Sequence, residues 1–94
     1  MLAILLSVIS AFAVPARAED VRKLVVATEG AYPPYNYVSA DGSLQGFDVD
    51  FARALCAEIK ADCTIVKKEW SQLIPGLLSQ EYDLIIASMA IIPE

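Results

Sequence analysis

Four side chains in this 94-residue sequence could together grip a small polar molecule: Glu29, Tyr32, Trp70 and Ser88. A carboxylate pairs with a cationic group through charge-assisted hydrogen bonds. Aromatic faces attract a cationic or flat group, and a hydroxyl both donates and accepts. Each residue also has a plainer reading. Glu29 could be a solvated acid, Tyr32 and Trp70 could be plugs of the core, and Ser88 could bond only to backbone. Catalytic sets are harder to find. The sequence contains no His, so no Ser-His-Asp or Cys-His arrangement is available, and neither a glycine-rich phosphate loop nor a zinc-ligand spacing occurs. The sequence therefore predicts a binding protein, not an enzyme, with no catalytic residue, no metal and no cofactor.

The elements that must position these residues read as strand, helix, strand, helix, strand. Residues 21–28 are rich in β-branched side chains and form the first strand. Residues 29–34 end it, because consecutive prolines cannot continue a ladder. Residues 35–38 resume an extended path, and 40–43 make a turn. A helix is expected over 48–60, with Phe47, Phe51, Leu55 and Ile59 recurring every four residues and Ala52 and Cys56 widening the same core-facing stripe. Asp48 and Asp50 near its start and Lys60 near its end suit the helix dipole. Residues 63–67 form a second strand. Ser71 caps a second helix over 72–80, with Pro75 in about its first turn, where a missing N–H is tolerated. Residues 82–88 form a third strand whose apolar centre suits burial on both faces.

Such alternation implies an α/β fold with a parallel sheet and right-handed crossovers. Ligands in open parallel sheets bind beyond the carboxyl ends of the strands. Glu29 and Tyr32 follow the first strand, Glu69 and Trp70 the second, and Ser88 closes the third, so three segments converge on one rim. The layer covering the second face of the sheet is expected to be missing. The core is thin for a free-standing domain, and the sequence reads as the front part of a longer chain.

The opening residues carry a different signal. Residues 2–14 are apolar, Pro15 interrupts the run, and Ala16-Arg17-Ala18 is a small-x-small cleavage site. The run is shorter than the roughly 20 residues a membrane span requires. Residues 1–18 are thus expected to be a cleaved signal peptide, although no Lys or Arg precedes the apolar core, and 19–94 the exported domain. With 12 acidic against 7 basic residues, a net charge of −5 and no basic cluster, nucleic acid is an unsuitable partner. Behind a secretory signal the pair Cys56 and Cys63 suggests a disulfide, the alternative being two buried thiols. No further ligands complete a metal site.

The stretch Gly46-Phe47-Asp48-Val49-Asp50-Phe51-Ala52-Arg53-Ala54-Leu55-Cys56 resembles the signature of bacterial extracellular solute-binding proteins that serve polar amino-acid ABC transporters. Thr28-Glu29-Gly30-Ala31-Tyr32-Pro33-Pro34-Tyr35-Asn36, and Trp70 followed by Leu73-Ile74-Pro75-Gly76-Leu77, extend the likeness over nearly all of 21–94. It is similar above all to the branch of lysine/arginine/ornithine, histidine and octopine/nopaline receptors. That resemblance implies the first lobe of a two-lobed periplasmic binding protein fold of type II. It implies a monomer that closes on an amino acid or opine and then docks on a membrane ABC permease. By the same likeness Tyr32 and Trp70 flank the ligand side chain and Glu29 pairs with its cationic end. Ser88 meets its α-amino end, and Cys56–Cys63 matches a known disulfide. Ala87 and Ala90 stand at ligand positions where relatives carry hydroxyls, and the family's carboxylate-clamping Arg would follow Glu94. A fold-related enzyme such as a cyclohexadienyl dehydratase is the competing class.

Overall fold

The structure is a computed structural model that describes residue 11 and residues 21–93. The signal peptide expected at 1–18 lies outside that continuous stretch. Eight elements follow in order: β1 (Lys23–Thr28), β2 (Ala31–Tyr32), β3 (Asn36–Val38), β4 (Leu44–Gln45), α1 (Phe47–Glu58), β5 (Asp62–Lys67), α2 (Trp70–Leu78) and β6 (Leu84–Ile85). β1 is central in a parallel sheet of order β5-β1-β6. Its pairing with β5 runs in register from Lys23 opposite Asp62 to Thr28 opposite Lys67, and Val26 and Ala27 pair with Leu84 and Ile85 of β6. β2, β3 and β4 form a small antiparallel sheet, which the sequence reading foresaw only as an extended path and a turn.

Strand side chains alternate between two layers of core. Val26 packs with Ala52 and Cys56 of α1, whereas Ala27 packs with Leu73 of α2, Tyr82 and Ala87. Each fully buried apolar side chain of this kind, such as Val26 or Leu73, contributes roughly 1.5–3 kcal/mol. The two helices therefore cover opposite faces, and the expectation of an uncovered face is wrong. The reason is topological. The chain steps from β1 outward to β5, then back past β1 to β6, and right-handed crossovers in opposite directions place their helices on opposite sides.

The expected core stripe of α1 also needs correction. The residues α1 buries are Asp48, Val49, Ala52 and Cys56, while Phe47 (65% exposed), Phe51, Leu55 and Ile59 face outward. The Cys56–Cys63 disulfide, with an S–S distance of 2.05 Å, ties α1 to β5 and thereby selects the small-residue side as the inner face. Phe47 and Phe51 instead stack on each other, 6.4 Å between ring centroids.

Helix ends differ from the sequence reading as well. α1 stops at Glu58, with Lys60 beyond it in the left-handed region (φ 53°). Its N–H reaches the Ala57 carbonyl, and that of Ala61 reaches Cys56, which is a Schellman closure made without glycine. Gln80 (φ 62°) closes α2 in the same way. α2 begins at Trp70 with Glu69 as its cap residue, so Ser71 lies inside the helix. Pro75 then falls in the second turn, where it removes the donor that the Ser71 carbonyl would otherwise receive. β6 is two residues long rather than seven. Tyr82 ahead of it is buried and donates to the Gln72 and Leu73 carbonyls of α2. A Cβ on Gly76 would collide with the Tyr82 hydroxyl, which explains glycine there. Burial, helped by the charge of Glu81, raises the Tyr82 phenol above its ordinary pKa.

Gly46 enters α1 at φ 118°, and a Cβ there would lie 2.5 Å from the Tyr35 carbonyl oxygen and 2.8 Å from that of Pro34. This closeness lets the Phe47 and Asp48 N–H groups donate to Pro34 and Tyr35 at 3.2 and 2.7 Å, satisfying two donors that a helix start leaves free. Gly46→Ala should lose about 3 kcal/mol or more from strain and overpacking, measured by urea unfolding; a loss under about 1 kcal/mol would show that the junction relaxes freely. In the turn before β4, the Ser39 and Ser43 hydroxyls and the Ser43 N–H donate to Asp41. They hold its pKa at about 2, below the ordinary 3.8. Because the folded value is the lower one, the turn's stabilisation is complete above pH 3.8 and fades as pH falls towards about 2. Carbon-detected NMR should give Asp41 a midpoint of about 2, and Ser39→Ala should move it back towards 3.8.

Candidate functional site

The carboxyl ends of β1, β5 and β6 form one rim. Past the last paired residues the Lys68 N–H still donates to the Thr28 carbonyl (2.9 Å), and that of Ile86 donates to Ala27 (3.0 Å). The segments starting at Glu29, Lys68 and Ala87 therefore leave the sheet side by side. β1 continues towards α1 on one face, and β5 continues into α2 on the other. Ligands of open parallel sheets bind beyond such a carboxyl rim. Glu29 directly follows β1, and Trp70 opens α2 shortly after β5.

Tyr32 and Trp70 are each 48% exposed, which excludes a role as core plugs. The Tyr32 ring is supported by Tyr35 at 5.0 Å between centroids. Glu29 is half-buried. Trp70 and Ala90 line one cleft of about 540 Å³ together with Ile74, Pro75, Met89 and Ile92. Its walls are mostly apolar, suited to the hydrocarbon part of a ligand. Glu29 and Tyr32 do not line that cleft; they flank the rim from the neighbouring strand. Ala87 is 3% exposed and packs against Ala27, Leu73 and Tyr82, so its side chain belongs to the core. Thr28, the last residue of β1, buries its hydroxyl without a hydrogen-bond partner among the described residues.

Ser88 sits exposed at the rim in the left-handed region (φ 51°). Its hydroxyl is already engaged, donating to both carboxylate oxygens of Asp48 at 2.8 Å. Asp48 is 4% exposed and accepts a further bond, at 2.9 Å, from the fully buried Asn36 amide. Asn36 in turn accepts the Gly30 N–H at 2.7 Å. Sequence reasoning placed Asp48 on the helix dipole and passed over Asn36. A polar residue inside the otherwise aromatic and proline-rich run 32–37 was the available signal for a buried amide. Among the described residues no group of three or more His, Cys, Asp or Glu side chains is arranged to hold a metal ion.

Comparison with known proteins shows which chains this one is similar to. Residues 24–94 match the family described as bacterial extracellular solute-binding proteins, family 3. The chain is 40% identical over 77 residues to the octopine-binding periplasmic protein of Rhizobium meliloti, covering 82% of this chain and 26% of that one. It is 42% identical over 86 residues to the L-arginine-binding protein of Pseudomonas aeruginosa, covering 92% and 33%. Among solved structures, a Salmonella typhimurium periplasmic binding protein described for its high arginine specificity superposes with a TM-score of 0.74 at 38% identity, covering 78% of this chain and 33% of that one. The chain thus spans about a quarter to a third of the length of these relatives.

Trp70 is the sole tryptophan, so its exposure can be read directly. Acrylamide should quench the fluorescence of the intact protein strongly, as for a half-solvated indole. Emission insensitive to acrylamide would put Trp70 in the core and remove it from the rim.

Proposed function

The chain belongs to the bacterial extracellular solute-binding proteins, family 3, and from that premise we propose that it forms the front part of a periplasmic receptor for a cationic amino acid. Arginine, lysine, ornithine and histidine, or an opine derived from one of them, are the ligands this reading admits. The receptor hands its ligand to a membrane ABC permease and leaves it chemically unchanged. The apolar leader at 2–14 and the cleavage motif at 16–18 support export to the periplasm.

One observation carries the reading: a half-buried carboxylate follows β1 directly, and two half-exposed aromatic rings lie on the segments that leave β1 and β5. A guanidinium or ammonium attracted by Glu29 gains a charge-assisted bond, and ring faces add cation–π attraction of about 0.5–2 kcal/mol each. The cleft beside Trp70 suits the aliphatic stem of such a ligand. Alanine at 90 offers no hydroxyl, so recognition there falls to backbone groups or bridging water. The relatives named above for arginine and octopine point to the same ligand class.

Calorimetry and Trp70 fluorescence with arginine, lysine, ornithine, histidine and octopine test the proposal on the intact protein. At least one should bind, and Glu29→Gln should weaken it by about tenfold or more, the worth of a hydrogen bond to a charged group. Recovered ligand should be unmodified. Binding of glutamate or cystine in place of all five would overturn the cationic assignment, and release of a converted product would favour the enzymatic alternative.

A further inference from the structure

We infer that Asp48 is a positioning residue that locks the two ligand-facing segments into one unit, and that the Ser88 hydroxyl acts through Asp48 rather than on the ligand. The inference rests on the reading of the rim as the ligand site. A serine hydroxyl has one proton, and a carboxylate can only accept. The Ser88 proton is committed to Asp48, shared between two oxygens at 2.8 Å each, so towards a ligand the hydroxyl can only accept. Asp48 cannot follow a ligand outwards. Its second oxygen holds the Asn36 amide at 2.9 Å, its own N–H is held by the Tyr35 carbonyl at 2.7 Å, and both Asp48 and Asn36 are buried.

The far end of this chain of bonds is the Gly30 N–H, held by Asn36 at 2.7 Å. Gly30 directly follows Glu29 and precedes the strand that carries Tyr32. At the near end, Ser88 adopts a left-handed backbone conformation (φ 51°), which is disfavoured for an L-residue other than glycine. The grip of Asp48 offsets that cost and sets the direction in which the 88–90 backbone meets the rim. Gly30, Asn36, Asp48 and Ser88, drawn from four segments, thus form one relay with Asp48 as its pivot.

Two measurements test the relay. The first needs no ligand: in Ser88→Ala the Gly30 amide resonance should shift clearly more than the amides of the distant 41–43 turn. An unmoved Gly30 resonance would show that the two segments are not coupled. The second uses arginine and its des-amino analogue on the intact protein. Ser88→Ala should weaken both by a similar factor, about tenfold, and Ser88→Asn, which tolerates the left-handed backbone and offers an amide donor to Asp48, should restore part of it. Asp48→Asn combined with Ser88→Ala should bind no worse than the weaker single variant. A loss in Ser88→Ala confined to ligands bearing the α-amino group would mean that the hydroxyl touches the ligand, and full additivity would mean that Asp48 acts elsewhere; either overturns the inference. If Asp48→Asn does not fold, the Ala/Asn comparison at position 88 with the two ligands still decides. Absence of arginine binding in the unaltered protein would instead count against the proposed function, leaving the Gly30 measurement to judge the relay.

Discussion

A carboxylate buried as deeply as that of Asp48 must be met by hydrogen-bond donors, because leaving it unpaired in the interior costs several kcal/mol. The fold meets it from both sides, with the Asn36 amide and the Ser88 hydroxyl. The first turn of α1 adds the favourable end of the helix dipole. Much of the surrounding backbone is shaped by this requirement. Gly46 permits the tight approach of residues 34–35 to the helix start. That approach places Asn36 over Asp48, and Asn36 in turn fixes the turn after β1. The polar knot lies beneath the rim and joins elements that the two apolar cores do not.

Around that knot the apolar architecture follows from connectivity and from residue size. A central β1 with neighbours reached by opposite crossovers sends α1 and α2 to different faces. Small side chains let the layers close. Ala52 and the disulfide draw α1 onto the sheet, and Gly76 leaves space for the Tyr82 hydroxyl beneath α2. Pro75 and Trp70 stay on the outer side of that helix and edge the apolar cleft.

The order of elements, the parallel sheet, the carboxyl rim and the cysteine pairing were legible because alternation, β-branched runs and an even cysteine count are local signals. What the sequence hid was mostly a choice between equivalent local solutions. The run Phe47, Phe51, Leu55, Ile59 and the run Asp48, Ala52, Cys56 share one spacing, and hydrophobicity alone favours the first. The structure chose the second because a covalent tie and a buried carboxylate outweigh exposed aromatic area. Helix ends were misplaced because Lys60 and Gln80 perform a closure usually signalled by glycine. Glu29 and Trp70 could be placed just past strands from the sequence alone. The inward turn of the Ala87 side chain followed from its place in the alternation along the β6 segment, opposite in sense to Ile86.

The outward flank of α1 bears on how the molecule behaves among its neighbours. A helix of twelve residues is about 18 Å long, and here it offers water a nearly continuous greasy strip of two stacked phenyl rings, a leucine and an isoleucine. Strips of that sort govern colloidal character more than fold. They steepen salting-out and favour fleeting self-association at high concentration. The overall negative charge works against such stickiness by mutual repulsion, so solubility in this protein is a contest between one oily flank and a net anionic surface, and ionic strength is the variable that tips it.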